Sequence, residues 1–264
     1  IRGEFRESLY DESRLSALET RMAHYLSASA VSAKNLAEEK DAIKTLIGDI
    51  SHQTKTPIAN LLLYAQLLEE QDLPPESREY ASALEHQAEK LRFLIDALVK
   101  TSRLESGVLA MTPKRHGIQQ LLDAASAQAA PGAEAKAITL TVEPTDLTAR
   151  FDPKWTAEAL YNLVDNAVKY TPAGGAVTLR AVGYELFCRV DVTDTGPGIP
   201  ESEQARIFQR FYRSPSASEA EGVGIGLYLS RQIAAGQGGY LKVSSRPGEG
   251  STFSLFLPRA EERT

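Results

Sequence analysis

The 264-residue chain has a single cysteine, Cys188, so no disulfide can form within it and no multi-cysteine metal site is available. Its 4 histidines are scattered, which leaves no zinc cluster. No apolar run approaches the ~18 residues that a membrane span needs, and no secretory leader pattern opens the chain. A positive excess is missing too. The 29 Lys and Arg face 35 Asp and Glu, a net charge of −6, which argues against a dedicated nucleic-acid binder. The signature of disorder is absent, since 42% of residues are hydrophobic and 24% charged. The length corresponds to roughly two domains at ~150 residues each. The expectation is a soluble, cytoplasmic piece. It opens on Ile1 without a Met, and reads as a fragment of a longer protein.

Helix breakers are scarce at the start. Between Leu9 and Leu68 the only proline is Pro57 and the only glycine Gly48, in a background of Ala, Leu, Glu and Lys. The stretch from Leu9 to about Lys40 is helical in composition but poorly amphipathic. It reads either as a solvated helix or as a connector carrying a signal from upstream. From Ile43 to Leu68 the apolar residues Ile43, Leu46, Ile47, Ile50, Ile58, Leu61 and Leu68 follow three-four spacing. Asp72-Leu73-Pro74-Pro75 ends that run. A second helical run covers about Ser77 to Leu104, with Leu84, Leu91, Leu94, Ile95, Leu98 and Leu104 on its apolar side. Two long helices joined by a short loop make an antiparallel hairpin. Because a lone hairpin buries only one seam of each helix, a second copy is expected to complete a four-helix bundle.

After Gly107 the texture changes. Met111 to Gly117 reads as a linker. Strands are predicted over 138–143, 176–182, 186–193, 241–245 and 252–257, and helices over 118–130, 154–170 and 225–235. Helices on one face of a mixed sheet, an α+β sandwich, are the expected layout. The expected units are residues 1–40 as an upstream connector helix, 41–106 as the hairpin, and 115–260 as the sandwich.

Three segments of the second half carry chemistry-bearing residues. Asn162 and Asn166 lie four apart on one helix face, with Asp165 and Lys169 beside them. Asn is a poor interior helix former. The pair reads either as a polar face or as amides placed for Mg²⁺ and phosphate. Asp194-Thr195-Gly196-Pro197-Gly198-Ile199-Pro200 closes a strand with a tight turn, and Asp194 stands at its mouth. It is either a turn former or an acceptor for an exocyclic amine. Gly222-Val223-Gly224-Ile225-Gly226-Leu227 precedes a helix. Its G-x-G-x-G spacing is neither the dinucleotide fingerprint nor the Walker loop, although glycines ahead of a helix N-terminus admit an anion.

The order of these segments is more specific than any one of them. Upstream, the hairpin carries Ser51-His52-Gln53-Thr54-Lys55-Thr56-Pro57, and Phe208-Gln209-Arg210-Phe211 stands between the Asp194 turn and the glycine loop. The arrangement resembles the catalytic core of a bacterial sensor histidine kinase from about Asp41 to Leu257. Its second half is also similar to the nucleotide-binding fold of gyrase and heat-shock chaperones, which lack the histidine-bearing hairpin. The resemblance implies ATP and Mg²⁺ as cofactors, a homodimer, a response-regulator receiver domain as partner, and anchoring in the bacterial inner membrane only through a region upstream of Ile1. It implies that His52 is the phosphorylated nucleophile and that Asn162 and Asn166 contact Mg²⁺ and phosphate. Lys169 then faces phosphate, and Tyr170 lies beside the nucleotide. Asp194 binds adenine within the turn of Gly196, Gly198 and Ile199. Arg210, with Phe208 and Phe211, flanks the lid, and Gly222, Gly224, Gly226 and Leu227 close it. Thr252 places a hydroxyl near the adenine end. Tyr170, Phe208, Phe211 and Thr252 also read as packing residues.

The residues around His52 support the assignment. His52 follows the seam residue Ile50 by ~200° of helix rotation, so it points off the seam. Pro57 removes a helix hydrogen bond and clashes one turn back, at ~3 kcal/mol, beside the nucleophile. Thr56, one turn beyond His52, is a candidate for orienting a water in a regulator phosphatase reaction. One feature departs from the family pattern: many members carry an acid directly after the histidine, and here it is Gln53. An amide holds the imidazole but accepts no proton, which leaves Asp49 as an alternative base. The resulting expectation is an ATP-dependent protein-histidine kinase acting on His52 and then on a regulator aspartate. The alternative is a kinase-inactive dimeric nucleotide-binding scaffold that works as a phosphatase.

Overall fold

The computed structural model describes residues 14–71, 73–105, 111–214 and 223–259. A first helix, α1, runs unbroken over Arg14–Glu69. The division expected at residue 40 is therefore no break in the backbone, because nothing in that stretch stops a helix. Pro57 lies inside α1. The helix continues through it, and Ile58 and Leu62 just beyond are buried against the partner helix. That partner, α2, spans Pro75–Glu105. It starts two residues before the expected Ser77, since proline is pre-set for the first helical position.

α1 and α2 meet along an apolar stripe in which Ile58 and Leu62 pack with Ala88 and the half-buried Ile95. Ile58, Leu62 and Ala65 are buried on one side, and Ala81, Ala88 and Ala97 on the other. Two polar contacts fix the register. Gln66 Nε2 donates to Glu85 Oε1 at 3.2 Å, and Lys55 pairs with Asp96 at 2.8 Å. Three residues back along α1 from Lys55 is His52, and three residues on along α2 from Asp96 is Val99. His52 and Val99 therefore lie level in the hairpin. Most of the expected seam is not covered within one chain: Ile43, Leu46, Ile50, Leu61, Leu84 and Leu91 remain exposed.

The second unit is a two-layer sandwich. Its elements in chain order are β1 (Lys114–Gly117), α3 (Ile118–Ala135), β2 (Thr139–Val142), β3 (Thr148–Phe151), α4 (Pro153–Tyr170), β4 (Ala176–Gly183) and β5 (Phe187–Asp194). A short helix α5 (Glu201–Gln204), a 3-10 turn (Arg206–Phe208), α6 (Gly226–Gly236), β6 (Tyr240–Arg246) and β7 (Gly250–Pro258) follow. The main sheet has the order β2-β4-β5-β7-β6. Only the β2–β4 pair is parallel. Strand residues Val177, Leu179, Cys188, Val190, Val192, Phe253 and Leu255 form one core with Leu122, Leu160, Leu163 and Val164 of the helices. Cys188 is part of that packing, and burial pushes its thiol up to about 11, so it is inert.

The linker expected at Met111–Gly117 is corrected at its end. Lys114–Gly117 is β1, paired antiparallel with β3, a strand that the sequence pattern did not indicate. Both strands are four residues long and polar enough to hide alternation. They exist because each supplies the other's backbone partners. His116 is half-buried with its ring 5.4 Å from Phe151. Helix α3 also passes the expected stop at Ala130 and contains Pro131.

One lysine secures the C-terminal end of α4. Lys136 Nζ donates to the carbonyls of Val168, Lys169 and Thr171 at 2.9, 2.7 and 2.8 Å. A cation there satisfies carbonyls left over at the helix end and complements the helix dipole. Lys136→Met is expected to lower unfolding free energy by about 1–3 kcal/mol, read as a lower urea midpoint at unchanged slope. An unchanged midpoint would mean that water replaces the ammonium without loss.

Candidate functional site

Helix α4 is placed by its apolar face. Trp155, Ala159, Leu160, Leu163, Val164 and Ala167 are buried. Asp152 caps its start, accepting from the backbone of Lys154 and Trp155 at 3.1 and 3.2 Å. The adjacent stripe, half-buried, presents Asn162, Asn166, Lys169 and Tyr170. The start of α6 rests on this stripe: a Cβ at Gly226 would lie 3.6 Å from the Asn162 amide. Asn162 Nδ2 is buried with no hydrogen-bond partner. Such a donor costs about 1–3 kcal/mol when left unmet, and a phosphate oxygen is the acceptor that suits it.

Asp194 ends β5, 6% exposed. Its Oδ1 accepts from Gly196 N at 2.8 Å and from Ser251 N at 3.3 Å. No hydrogen bond to Oδ2 is made by the described residues, which leaves that oxygen for a donor from a ligand. Burial pushes the Asp194 carboxyl above its ordinary value, against the two backbone hydrogen bonds. The turn is fastened to the β6–β7 hairpin: Ile199 N donates to Ser245 Oγ at 2.7 Å, and Gly248 N to Pro197 O at 2.7 Å. Gly198 has φ +72, and a Cβ there would stand 2.0 Å from the Arg246 carbonyl. Only glycine fits this position.

On the side of the glycine loop, Gly224 has φ +74 and its carbonyl accepts from Phe211 N at 2.9 Å. Ile225 is buried and Leu227 half-buried; Gly222 lies outside the described residues. Lys169 Nζ lies 5.5 Å from the Tyr170 ring. Burial raises the Tyr170 hydroxyl's pKa, and the nearby Arg213 opposes that rise. Arg213 is thus a cation on this side of the site that the motifs did not indicate. Phe208 belongs to the core. Phe211 is exposed, with φ +60. Arg210 stacks its guanidinium 4.9 Å over Tyr228 and lines a small cavity with Leu98, Thr101, Phe211 and Ile225. It is therefore at the seam with the hairpin. On α1, Gln53 and Thr56 are exposed, and His52 is helical in its backbone, with its side chain outside those described.

One expected residue faces the wrong way. Thr252 bonds Thr193 across the β5–β7 register at 3.0 Å, while its neighbour Ser251 is buried beside Asp194. Alternation along β7 makes a one-residue miscount a change of face. The signal that finds Ser251 is Gly250, where a Cβ would meet the Asp194 carbonyl at 2.0 Å.

No group of three or more His, Cys, Asp or Glu that could hold a metal occurs among the described residues. The donors on offer for Mg²⁺ are neutral amides. These fit a cation that shares its ligands with phosphate oxygens better than one held by protein alone.

Two family models match separate parts of the chain. Residues 151–261 match the family of histidine kinase-, DNA gyrase B- and HSP90-like ATPases. Residues 42–107 match the His Kinase A phospho-acceptor domain. Sensor protein DivL of Caulobacter vibrioides is 34% identical over 86% of this chain and 29% of its own length. The sensor-like histidine kinase SenX3 of Mycolicibacterium smegmatis is 28% identical over 98% of this chain and 66% of its own. The chain thus spans less than a third of DivL's length. Among solved structures, full-length ShkA in complex with AMPPNP superposes with a TM-score of 0.69 at 29% identity, covering 83% of this chain and 46% of that one.

The raised pKa of Asp194 sets a testable trade-off. Stability from a raised carboxyl is present below the ordinary carboxylate pKa and is lost as pH rises through the raised value. At pH 7 Asp194→Asn should therefore raise the thermal midpoint of the nucleotide-free chain, with the gain shrinking in acid. The same variant should weaken ATP binding about ten- to a hundredfold, the worth of a charged hydrogen bond of ~1.5–3 kcal/mol. Unchanged affinity in calorimetry would make Asp194 a turn former only.

Proposed function

The chain belongs to the sensor histidine kinases, and from that premise we propose that it autophosphorylates His52 from ATP and passes the phosphoryl group to an aspartate of a response-regulator receiver domain. The observation that carries the reading is the co-occurrence, in one chain, of a helical hairpin bearing His52 and an ATPase-type domain docked against that hairpin. Asp194 Oδ2 accepts the exocyclic amine of adenine. The unmet amide donor of Asn162 and the ammonium of Lys169 meet the phosphates. Asn166, with Asn162 alongside, would hold Mg²⁺, which when bound would supply charge neutralisation; Arg210 adds positive charge from the side of the glycine loop. Phosphoryl transfer needs this positioning and neutralisation more than covalent assistance.

In the transfer, the lone pair of an unprotonated imidazole nitrogen forms the N–P bond as the bond from phosphorus to the β,γ-bridging oxygen breaks. ADP leaves with that electron pair, and the ring sheds its other proton. The phosphoryl group then moves from nitrogen to a carboxylate oxygen of the regulator. Thr56, exposed one turn beyond His52, suits the reverse service of orienting a water against that acyl phosphate. The exposed apolar positions of α1 and α2 fit a second copy of the chain, giving a homodimeric four-helix bundle. No described helix is long and apolar enough to cross a membrane.

Gln53 favours a second reading, a nucleotide-binding scaffold that is mainly a phosphatase. With labelled ATP, His52→Ala should abolish acid-labile label while ATP affinity stays within about twofold, a difference below ~0.5 kcal/mol. Label that persists on the variant would remove His52 from the mechanism. Gln53→Glu should speed labelling by up to the ~10²–10⁴ of general-base assistance. If that variant is indifferent while Asp49→Asn collapses the rate, Asp49 is the base. If neither variant changes the rate, solvent takes the proton.

A further inference from the structure

The ATPase domain is attached to the hairpin side at two points. The first is the end of the connection. Thr112 donates through N and Oγ1 to Asp152 Oδ2 at 3.1 and 3.4 Å, and Met111 packs on Trp155, Ala159, Leu229 and Ile233. One such anchor leaves a body free to turn about it. The second point removes that freedom: Lys100 Nζ of α2 meets Glu158 Oε1 of α4 at 2.5 Å, with side chains 43% and 24% exposed. Around it the seam is closed. Thr101 is 3% exposed, and its Oγ1 is buried with no hydrogen-bond partner. Leu98 and Thr101 face Arg210, Phe211 and Ile225 across a small cavity.

The height of this contact carries the argument. Val99 lies level with His52, so Lys100 and Thr101 lie within about 3 Å of that level at ~1.5 Å per residue. On the other side of the seam stands Ile225, between Gly224 and Gly226, and Gly226 abuts Asn162. Glu158 is one turn before Asn162 on the same helix. The contact thus ties α4, one turn before Asn162, to the hairpin within about 3 Å of the height of His52.

We propose that Lys100 and Glu158 are a positioning pair for phosphoryl transfer, fixing the height and rotation at which the nucleotide site meets the hairpin. The inference rests on the reading of His52 as acceptor. Neither side chain is among those assigned above to the nucleotide or to the acceptor. Their loss therefore acts on the transfer step and leaves ATP binding alone.

The test uses the full chain with γ-labelled ATP and Mg²⁺, comparing Lys100→Glu, Glu158→Lys and the two together. Each single variant should slow labelling of His52 at saturating ATP at least two- to fivefold, roughly the worth of a half-exposed ion pair. The half-saturating ATP concentration should not move, and the double variant, with its charges exchanged, should regain most of the rate. Single variants that label at the wild-type rate or faster overturn the proposal. So does a rise in half-saturating ATP, or a double variant no better than its parents. A wild-type chain that takes no label on His52 overturns the acceptor reading and this inference with it. A labelled wild type with indifferent variants overturns only the pair.

Discussion

A phosphoryl group moves only between atoms that approach to about 3–3.5 Å, and here the donor site and the acceptor stand on separate units. Every feature of the chain bears on that distance. The hairpin's register, fixed by Lys55–Asp96 and Gln66–Glu85, sets the height of His52. The linker anchor on Asp152 and the Lys100–Glu158 contact set the height of the nucleotide site against it. α1 runs as one helix from Arg14 through His52 and past Pro57.

Within the sandwich, the site is built at the expense of local stability. Asp194 is a buried carboxylate with only two backbone donors, and Asn162 keeps a buried amide unmet. Both are unfavourable in the free protein, and on the function proposed above an adenine amine and phosphate oxygens are the groups that relieve them. The surroundings hold them in place regardless. Lys136 secures the end of α4, Gln237 accepts from Asp152 N at the start of the same helix, and Ser245 ties the Asp194 turn to the neighbouring strands. Such preorganisation lets binding energy go to the ligand and not to ordering the site.

Much of this was legible because the relevant patterns are local. The three-four spacing gave both hairpin helices, and the absence of breakers gave the length of α1. Alternation gave the five strands of the main sheet, each within about two residues at either end. What escaped depends on partners distant in sequence. Lys114–Gly117 is a strand only because Thr148–Phe151 lies beside it. Ser251 was missed by one residue because the strand begins at Gly250, a start fixed by close approach to the Asp194 carbonyl. Lys136, Arg213 and the Lys100–Glu158 pair carry no motif at all; their roles come from what the fold sets opposite them.

The central claim is that this chain by itself moves phosphate from ATP to one histidine. Peptide mapping by mass spectrometry after reaction with Mg²⁺-ATP and an alkaline quench tests it most directly. The account predicts a single phosphorylated residue, His52, with the phosphate lost on brief acid treatment. An unmodified His52, or phosphate that survives acid on a serine or threonine, would contradict it.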